Sequence, residues 1–390
     1  LKTGREKPIR QRHPWIFSGA IHKIDGDVAD GGIADVVSAG GEFLARGYVN
    51  RRSQIVVRLL TWDEAEAIDA AFWRSRLERA IHARPRTNDA CRLVNAESDG
   101  LPGLVIDRYG AWLIVQALTL GIDRVKNELV GLLVELGAAR GVYERSDVEV
   151  REKEGLAQTS GVLWGEEPPD EIEITERSVP GADVRFRVDV KRGHKTGFYL
   201  DQSENRRQVA SYCRDAEVLN LFSYTGGFAC HALAAGARSV VNVDSSAETL
   251  TLAKRNLALN DFAVRDEDFV AGDAFSVLRK YRAEGRRFDV IIADPPKFVH
   301  SLGEIERASR AYKDLNLVSM QILKPGGFLA TFSCSGLVSP DLFQKIVFGA
   351  AIDARRETQI VEKLSQSSDH PILLTFPEAE YLKGLVCRVW

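Results

Sequence analysis

V-L-N-L-F-S-Y-T-G-G-F-A-C-H-A-L-A-A-G-A-R-S-V-V-N-V-D, residues 218–244, decides how this chain folds. The apolar run from Val218 to Phe222 reads as a buried parallel strand. Ser223 to Gly227 make a tight turn, Phe228 to Ala235 have helical spacing with small residues, and Gly236 is placed to end the helix. A second apolar strand, Ser239 to Val243, carries Asp244 at its tip. Glycines let backbone approach a ligand closely, and a helix N-terminus offers unpaired N–H groups. An acid ending the second strand can accept two hydrogen bonds from ribose hydroxyls. The turn is not G-x-G-x-x-G, so a dinucleotide pyrophosphate is not its natural guest. The plainer reading is an α/β crossover with a Gly turn and a surface Asp.

At 390 residues, with 45% hydrophobic and 27% charged side chains, the chain is expected to hold two or three globular domains. No apolar run approaches the roughly 18 residues of a membrane helix, so no membrane association is expected. The start, L-K-T-G-R-E-K-P, is basic and polar, unlike a signal peptide, and its lack of an initiator Met is consistent with trimming. Five scattered cysteines with no C-x-x-C argue against structural zinc, so no metal is expected, and for a reducing cytoplasm. The net charge of −3 counts little against nucleic acid, because binding depends on where charge lies. No internal repeat or low-complexity tract is visible, and the sequence is compatible with a homodimer without fixing the oligomeric state.

The segment to about Thr61 carries short strands between Gly/Asp turns. Lys2, Arg5, Lys7, Arg10 and Arg12 crowd its start, ahead of H-P-W-I-F-S-G-A (His13 to Ala20), and Arg46, Arg51, Arg52 and Arg58 form a second basic group. Cations beside aromatics on short strands suit RNA, whose phosphates need charge and whose bases stack. A solvated barrel face gives the same pattern. This segment resembles a PUA domain, an RNA-binding pseudobarrel, with Arg10 and Arg12 as the candidate RNA contacts. A helix is expected over 69–83. From Cys91 to Val179 come three strands, an amphipathic helix from Gly121 to Leu136, and short strands at Gly141 to Tyr143 and Ile172 to Thr175. Glu144, Arg145, Ser146, Asp147, Arg151 and Glu152 read as a charged loop that either touches substrate or forms surface salt bridges.

From Ala182 strand and helix alternate. Lys191 to Arg206 is loop-like and rich in functional groups: Lys195 and Arg206 suit a phosphate or ligand carboxylate, and Gln202 a cofactor. Alternatively, Asp201 or Ser203 starts a helix there. Downstream come a helix from Ala247 to Leu259, a strand from Asp268 to Ala271, the strand F-D-V-I-I-A before Asp294, a helix from Glu304 to Leu323, and the strand F-L-A-T-F-S before Cys334. Ser339-Pro340 opens another helix, and two late strands, Gln359 to Lys363 and Leu382 to Val389, pair antiparallel. Ligands of open α/β sheets lie beyond the carboxyl ends of the strands. Four polar clusters fall there: the 223–227 turn with Asn220, Asp244, Asp273 and the Asp294 loop. Asp244 fits a ribose and Asp273 an adenine amino group. Pro295 and Pro296 stiffen their loop and leave carbonyls to accept hydrogen bonds. Cys334, Ser-flanked at a strand end, has the setting of a nucleophile, since thiolates attack well and leave again. Cys91, Cys213, Cys230 and Cys387 read as packing.

The Gly turn resembles the S-adenosylmethionine turn of class I methyltransferases. Taken with it, H-K-T-G-F-Y-L-D-Q, D-P-P-K-F and F-S-C-S-G resemble the motifs of RlmI-type large-subunit ribosomal RNA (cytosine-C5) methyltransferases, and the likeness spans the whole chain. It implies an α/β fold: a Rossmann-like class I methyltransferase domain with a mixed sheet over 181–390, a β-rich PUA pseudobarrel over 1–68 and a small α+β middle domain over 69–180. It implies S-adenosylmethionine as methyl donor and 23S ribosomal RNA as substrate. The residues placed about the cofactor are Gln202, Asn220, Ser223, Tyr224, Thr225, Gly226, Asp244, Asp273 and Asp294. Those placed against RNA are Arg10, Arg12, Lys195, Arg206, Pro295, Pro296 and Lys297, with Cys334 and Asp294 catalytic. Many RNA cytosine-C5 enzymes carry D-P-P-C, the loop cysteine being linked to product release; Lys297 stands there here. The base that removes the C5 proton is open between Asp294 and ordered water. The competing readings are a guanine-N methyltransferase of rRNA, a nicotinamide-dependent oxidoreductase, and a non-catalytic RNA-binding protein on a methyltransferase scaffold.

Overall fold

Apolar runs bounded by turn residues become strands, and amphipathic stretches become the helices that cover them. The structure, a computed structural model, describes residues 1–85, 88–137, 139–179, 181–299 and 301–390. It divides into two units: Leu1–Ile172, Val188–Phe198 and Ser368–Ala379 in the first, Glu173–Arg187, Tyr199–Ser367 and Glu380–Trp390 in the second.

In the first unit, Trp15–Phe17, Ile55–Thr61, Phe43–Val49 and Ile33–Val37 lie in that order in an antiparallel sheet. A second sheet runs in chain order through Ala90–Asn95, Leu104–Tyr109, Trp112–Ala117, Gly141–Ser146 and Thr159–Gly165, with helices Ala70–His82 and Leu120–Leu136 beside it. Tyr48 ties the sheets together, its hydroxyl donating to the Pro102 carbonyl at 2.7 Å. The strand Thr159–Gly165 has no counterpart in the sequence reading; T-S-G-V-L-W-G is short and broken by Gly161.

Two expectations are corrected in this unit. Glu144, Arg145 and Ser146 belong to a strand, Arg151 to a 3-10 turn, and all four side chains are buried. Lys126 donates to Glu144, Arg145 to the carbonyls of Val190 and Gly193, and Arg151 to Asp123. This is interior wiring and not a surface loop. Arg58, counted with the second basic group, is also buried and paired with Glu154 at 2.9 Å.

The second unit is a seven-stranded mixed sheet. Its strands are β1 (Glu217–Leu221), β2 (Ser239–Asp244), β3 (Phe269–Ala271), β4 (Phe288–Ala293), β5 (Leu323–Ser333), β6 (Thr358–Ser365) and β7 (Lys383–Val389). The spatial order is β3-β2-β1-β4-β5-β7-β6. The first five are parallel and β7 runs antiparallel to both neighbours. The order reverses between β1 and β4, where open α/β sheets form their ligand crevice. The helices are α1 (Ser203–Ala210), α2 (Gly227–Ala234), α3 (Ala247–Leu259), α4 (Ala274–Ala283), α5 (Ile305–Gln321) and α6 (Pro340–Ala354). Ser246, Asp273 and Ser339 cap α3, α4 and α6 through their side chains. One face of the sheet, with Leu219, Leu221, Val243, Ile291 and Leu329, packs on Tyr312 and Leu315 of α5 and Phe343 of α6. The helix expected to run to Leu323 stops at Gln321, because Leu323 already pairs with Phe288 of β4.

A hairpin of Ile172–Arg177 and Asp183–Val188 brings Glu176 to α1 and α2. Its carboxylate takes Arg206 in two hydrogen bonds, of 2.9 and 2.5 Å, and His231 Nε2 at 3.1 Å; His231 Nδ1 meets Ser178 Oγ at 2.9 Å. Burial opposes ionisation of Glu176, but Arg206 and His231 outweigh it and hold its carboxyl below the usual range. Burial pushes the His231 imidazole below its ordinary value despite Glu176. The folded protein therefore resists taking a proton on His231 that the unfolded chain accepts below about pH 6.5, so stability falls with pH there. Glu176 adds to the loss further into acid. We expect thermal melts of the wild type to fall from pH 7.5 to 5, with a limiting slope of about 1.4 kcal/mol per pH unit for one proton, and His231→Asn to show a much flatter profile over that window. Parallel profiles would remove His231 as the titrating group.

Candidate active site

Parallel pairing decides what meets at the carboxyl edge of the second unit's sheet. Leu221 of β1 pairs with Ala293 of β4, and Ala293 with Thr331 of β5. The Gly turn, Asp294 and the S-C-S segment therefore leave the sheet at nearly one level.

Phe222, Tyr224 and Gly226 take left-handed backbone in the turn, with φ of 57°, 45° and 81°. Such angles strain bulky residues and persist only when the surroundings impose them. Asn256 of α3 donates to the Thr225 carbonyl at 2.9 Å, and the Tyr224 N–H donates to Asp244 Oδ2 at 2.8 Å. Among the described residues the buried hydroxyls Ser223 Oγ and Thr225 Oγ1 have no hydrogen-bond partner, and α2 has no side-chain cap on its first turn. Unpaired buried hydroxyls and an uncapped helix start together suit a polar, carboxylate-bearing ligand. Asp244 Oδ1 accepts from Ser246 N at 3.0 Å, so both carboxylate oxygens are fixed and each keeps a second lone pair for a ribose hydroxyl. These groups fit S-adenosylmethionine: Asp244 would take its ribose, the turn and α2 its amino-acid end.

Other expected cofactor residues have prior engagements. Asp273 is exposed and caps α4, one oxygen accepting from both Ser276 N and Ser276 Oγ. Asn220 is 1% exposed, its amide donating across the strands to Asn242 Oδ1 at 3.0 Å, so it does not line an open cleft. Gln202, 2% exposed, accepts from Asn205 at the start of α1. Arg206 is 3% exposed and clamped by Glu176, so it is not a phosphate contact. Of the helix starts foreseen for that stretch, Ser203 is the one realised.

The thiol is placed by strand alternation. Ser333 and Ser335 turn inward: Ser333 Oγ donates to the Tyr312 hydroxyl at 3.0 Å, and Ser335 Oγ to the Val299 carbonyl at 3.5 Å. Cys334, between them, turns the other way, is partly exposed, and brings Sγ 4.0 Å from the Pro295 carbonyl. Cys91, Cys213, Cys230 and Cys387 are buried. Burial pushes the thiols of Cys91 up to about 11 and of Cys213 and Cys387 to about 12, and Cys230 higher still.

Tyrosines line the same place. Burial first, then the charge of Asp294, then Tyr224 and Cys334, raise the Tyr199 phenol, and its ring meets Tyr224 edge-on at 5.3 Å. Burial, with Cys334 and Asp294 adding, pushes Tyr312 to about 12. Both stay neutral hydroxyls near neutral pH. The electrostatic coupling joins the Gly turn, the Asp294 loop and Cys334 in one cluster. Pro296 and Lys297 are exposed and Pro295 is buried. The sequence reading gave Tyr312 and Lys383 no role; the signal for Lys383 was a lone cation inside the apolar run Y-L-K-G-L-V-C.

Lys195, Arg10 and Arg12 belong to the first unit. Lys195 is exposed at a φ of 56°, with Thr196 beside it buried and donating to Asp107 at 2.7 Å. Arg10 is exposed and paired with Glu42, and the Arg12 guanidinium lies 5.9 Å from the Trp62 ring centroid. Among the described residues no group of three or more metal-ligating side chains occurs, and no helix is long and apolar enough to cross a membrane.

A PUA-like domain model matches residues 1–62, and a model of S-adenosylmethionine-dependent methyltransferases matches 154–388. The chain is 48% identical over 394 residues to ribosomal RNA large subunit methyltransferase I of Aliivibrio fischeri, covering 100% of this chain and 98% of that protein. It is 46% identical to the protein of that name from Cronobacter sakazakii, with the same coverage. Among solved structures, the methyltransferase SMU.776 complexed with SAH superposes with a TM-score of 0.85 at 22% identity, over 99% of this chain and 98% of that one. A SAM-dependent methyltransferase from Streptococcus mutans gives 0.83 at 22% identity, over 100% and 99%. These two likenesses show the fold. S-adenosylmethionine is the cofactor of the methyltransferase domain. The chain belongs to the ribosomal RNA large subunit methyltransferase I family.

Proposed function

We propose that this protein methylates C5 of a cytosine in 23S ribosomal RNA, with Cys334 as nucleophile. The observation that carries the reading is the thiol: of five cysteines Cys334 alone is not buried, and it stands at the carboxyl edge against the Pro295 carbonyl. The names of the relatives support large-subunit rRNA as substrate. We further propose that the segments 1–68 and 69–180 serve as a PUA-like RNA-binding domain and a middle domain, Arg10, Arg12 and Lys195 meeting RNA phosphates, ahead of a methyltransferase domain over 181–390. Asp273 meets the adenine through Oδ1, since Oδ2 is the oxygen that caps α4.

The target base flips out of the RNA to reach the site. The Cys334 thiolate adds to C6, moving the ring's electron pair so that C5 becomes nucleophilic. The electron pair that reaches N3 is met there by a proton from solvent, Asp294 accepts hydrogen bonds from the N3–H and amino edge so formed, and Pro295 and Pro296 keep that loop rigid. S-adenosylmethionine supplies, when bound, the electrophilic methyl group that C5 takes up. Loss of the C5 proton, to Asp294 or to water, then expels the Cys334 thiolate and restores the ring. Guanine-N methylation would leave the exposed thiol and its serine tethers without a task.

Replacing Cys334 with Ala should lower methyl transfer to 23S rRNA by about a thousandfold or more while leaving S-adenosylmethionine affinity within about twofold. Wild type, but not the variant, should form a covalent adduct with 5-fluorocytosine RNA. 5-Methylcytosine formed at the wild-type rate by Cys334→Ala would refute the nucleophile. Asp244→Asn should weaken S-adenosylmethionine binding about tenfold to a hundredfold by calorimetry, the worth of one or two charge-assisted hydrogen bonds; unchanged affinity would take Asp244 off the ribose.

A further inference from the structure

We infer that Lys383 is a positioning residue for Cys334, fixing the turn that carries the sulfur and favouring its thiolate. The inference rests on the nucleophilic role of Cys334. β7 runs antiparallel to β5, so its first residue lies at the carboxyl end of β5, where Lys383 pairs with Ser333. Its side chain is 5% exposed, and Nζ donates to the carbonyls of Ser335 and Val338, each at 2.7 Å. Two bonds from one ammonium thus close the 335–338 turn next to Cys334, and a third N–H remains. No carboxylate is hydrogen-bonded to Nζ among the described residues, so the buried cation is bonded to carbonyl dipoles, with Glu380 acting on it only through space. Such a charge is costly unless something negative forms beside it. Burial pulls the Lys383 ammonium down to about 8, while Glu380 and the thiolate of Cys334 act to hold its proton.

Among the described residues, Tyr199 ahead of α1, Tyr312 of α5 and Lys383 of β7 feel the charge of Cys334, and the same two tyrosines feel Asp294 from the loop after β4. Asp294 opposes a second negative charge, and the tyrosines are neutral. Lys383 is the cation of that set and offsets Asp294. At neutral pH it is protonated, and the thiol proton leaves to solvent as the thiolate forms.

Iodoacetamide alkylation of Cys334, followed by mass spectrometry of its peptide against pH, tests this; the four other thiols are buried. The wild-type profile should have its midpoint below the roughly 8.5 of an ordinary thiol. Lys383→Met should move it up by about one pH unit or more, and methyl transfer should fall at neutral pH and recover in part as pH rises. A wild-type midpoint at or above the ordinary value overturns the inference without any variant. Unchanged alkylation in Lys383→Met, with wild type still trapping 5-fluorocytosine RNA, overturns Lys383 alone. No trapped adduct in the wild type overturns the nucleophile and this inference with it.

Discussion

The register of β1, β4 and β5 is the constraint on which the site depends. With Leu221, Ala293 and Thr331 aligned across three parallel strands, three segments far apart in sequence reach the edge together. Side chains alternate along a strand, so a slip of one residue in β5 would bury Cys334 and present a serine instead. β7 guards against that slip, pairing residue by residue from Gly327–Val389 to Ser333–Lys383. It passes this closely because residue 384 is glycine: a Cβ there would meet the Phe332 ring at 2.5 Å.

Buried charge sets how the remaining pieces attach. Glu176, Arg206 and His231 join the hairpin to α1 and α2, as Arg58 and Glu154 join segments of the first unit. A buried ion pair contributes little net stability against an apolar equivalent, yet removing one partner strands a charge at a cost of about 3–5 kcal/mol. Such pairs therefore specify one docking geometry more than they strengthen it. That explains why Arg206, though next to a motif full of ligand-binding chemistry, is committed to the scaffold.

Local signals carried most of the catalytic half. Ala247–Leu259 is helical over the span read from sequence, since Ser246 is a strong cap and its apolar spacing is regular. Ser339-Pro340 opens α6 for the same kind of reason. Ser-Cys-Ser at a strand end is a period-two pattern, so the sequence already set Cys334 apart from the four cysteines that prove buried. What was not legible was pairing at long range. Glu176 lies 30 residues from Arg206, and nothing local to either announces the other. Asn220 faced the same problem: its partner Asn242 is set by β1–β2 register and not by the turn beside it. Glu144 and Arg151 looked solvated because their counter-charges, Lys126 and Asp123, are on a helix preceding them.

Lys297 gives the site its last physical problem. Where many RNA cytosine-C5 enzymes carry a second cysteine linked to product release, this loop has an exposed cation. On the mechanism proposed for Cys334, a thiolate bonded to C6 leaves without that help, and a thiolate leaves faster the lower its pKa. The ammonium of Lys383 acts on that quantity. Under the proposal made for Lys383, the charge that favours the thiolate before attack also stabilises it as leaving group afterwards, so one buried lysine would bear on both ends of the cycle. The compensation has a limit, because nucleophilicity falls as pKa falls. An optimum lies where a thiol titrates close to the working pH, and under the proposal Asp294 and Lys383 act on that balance in opposite senses: a carboxylate favours reactivity, and an ammonium favours ionisation.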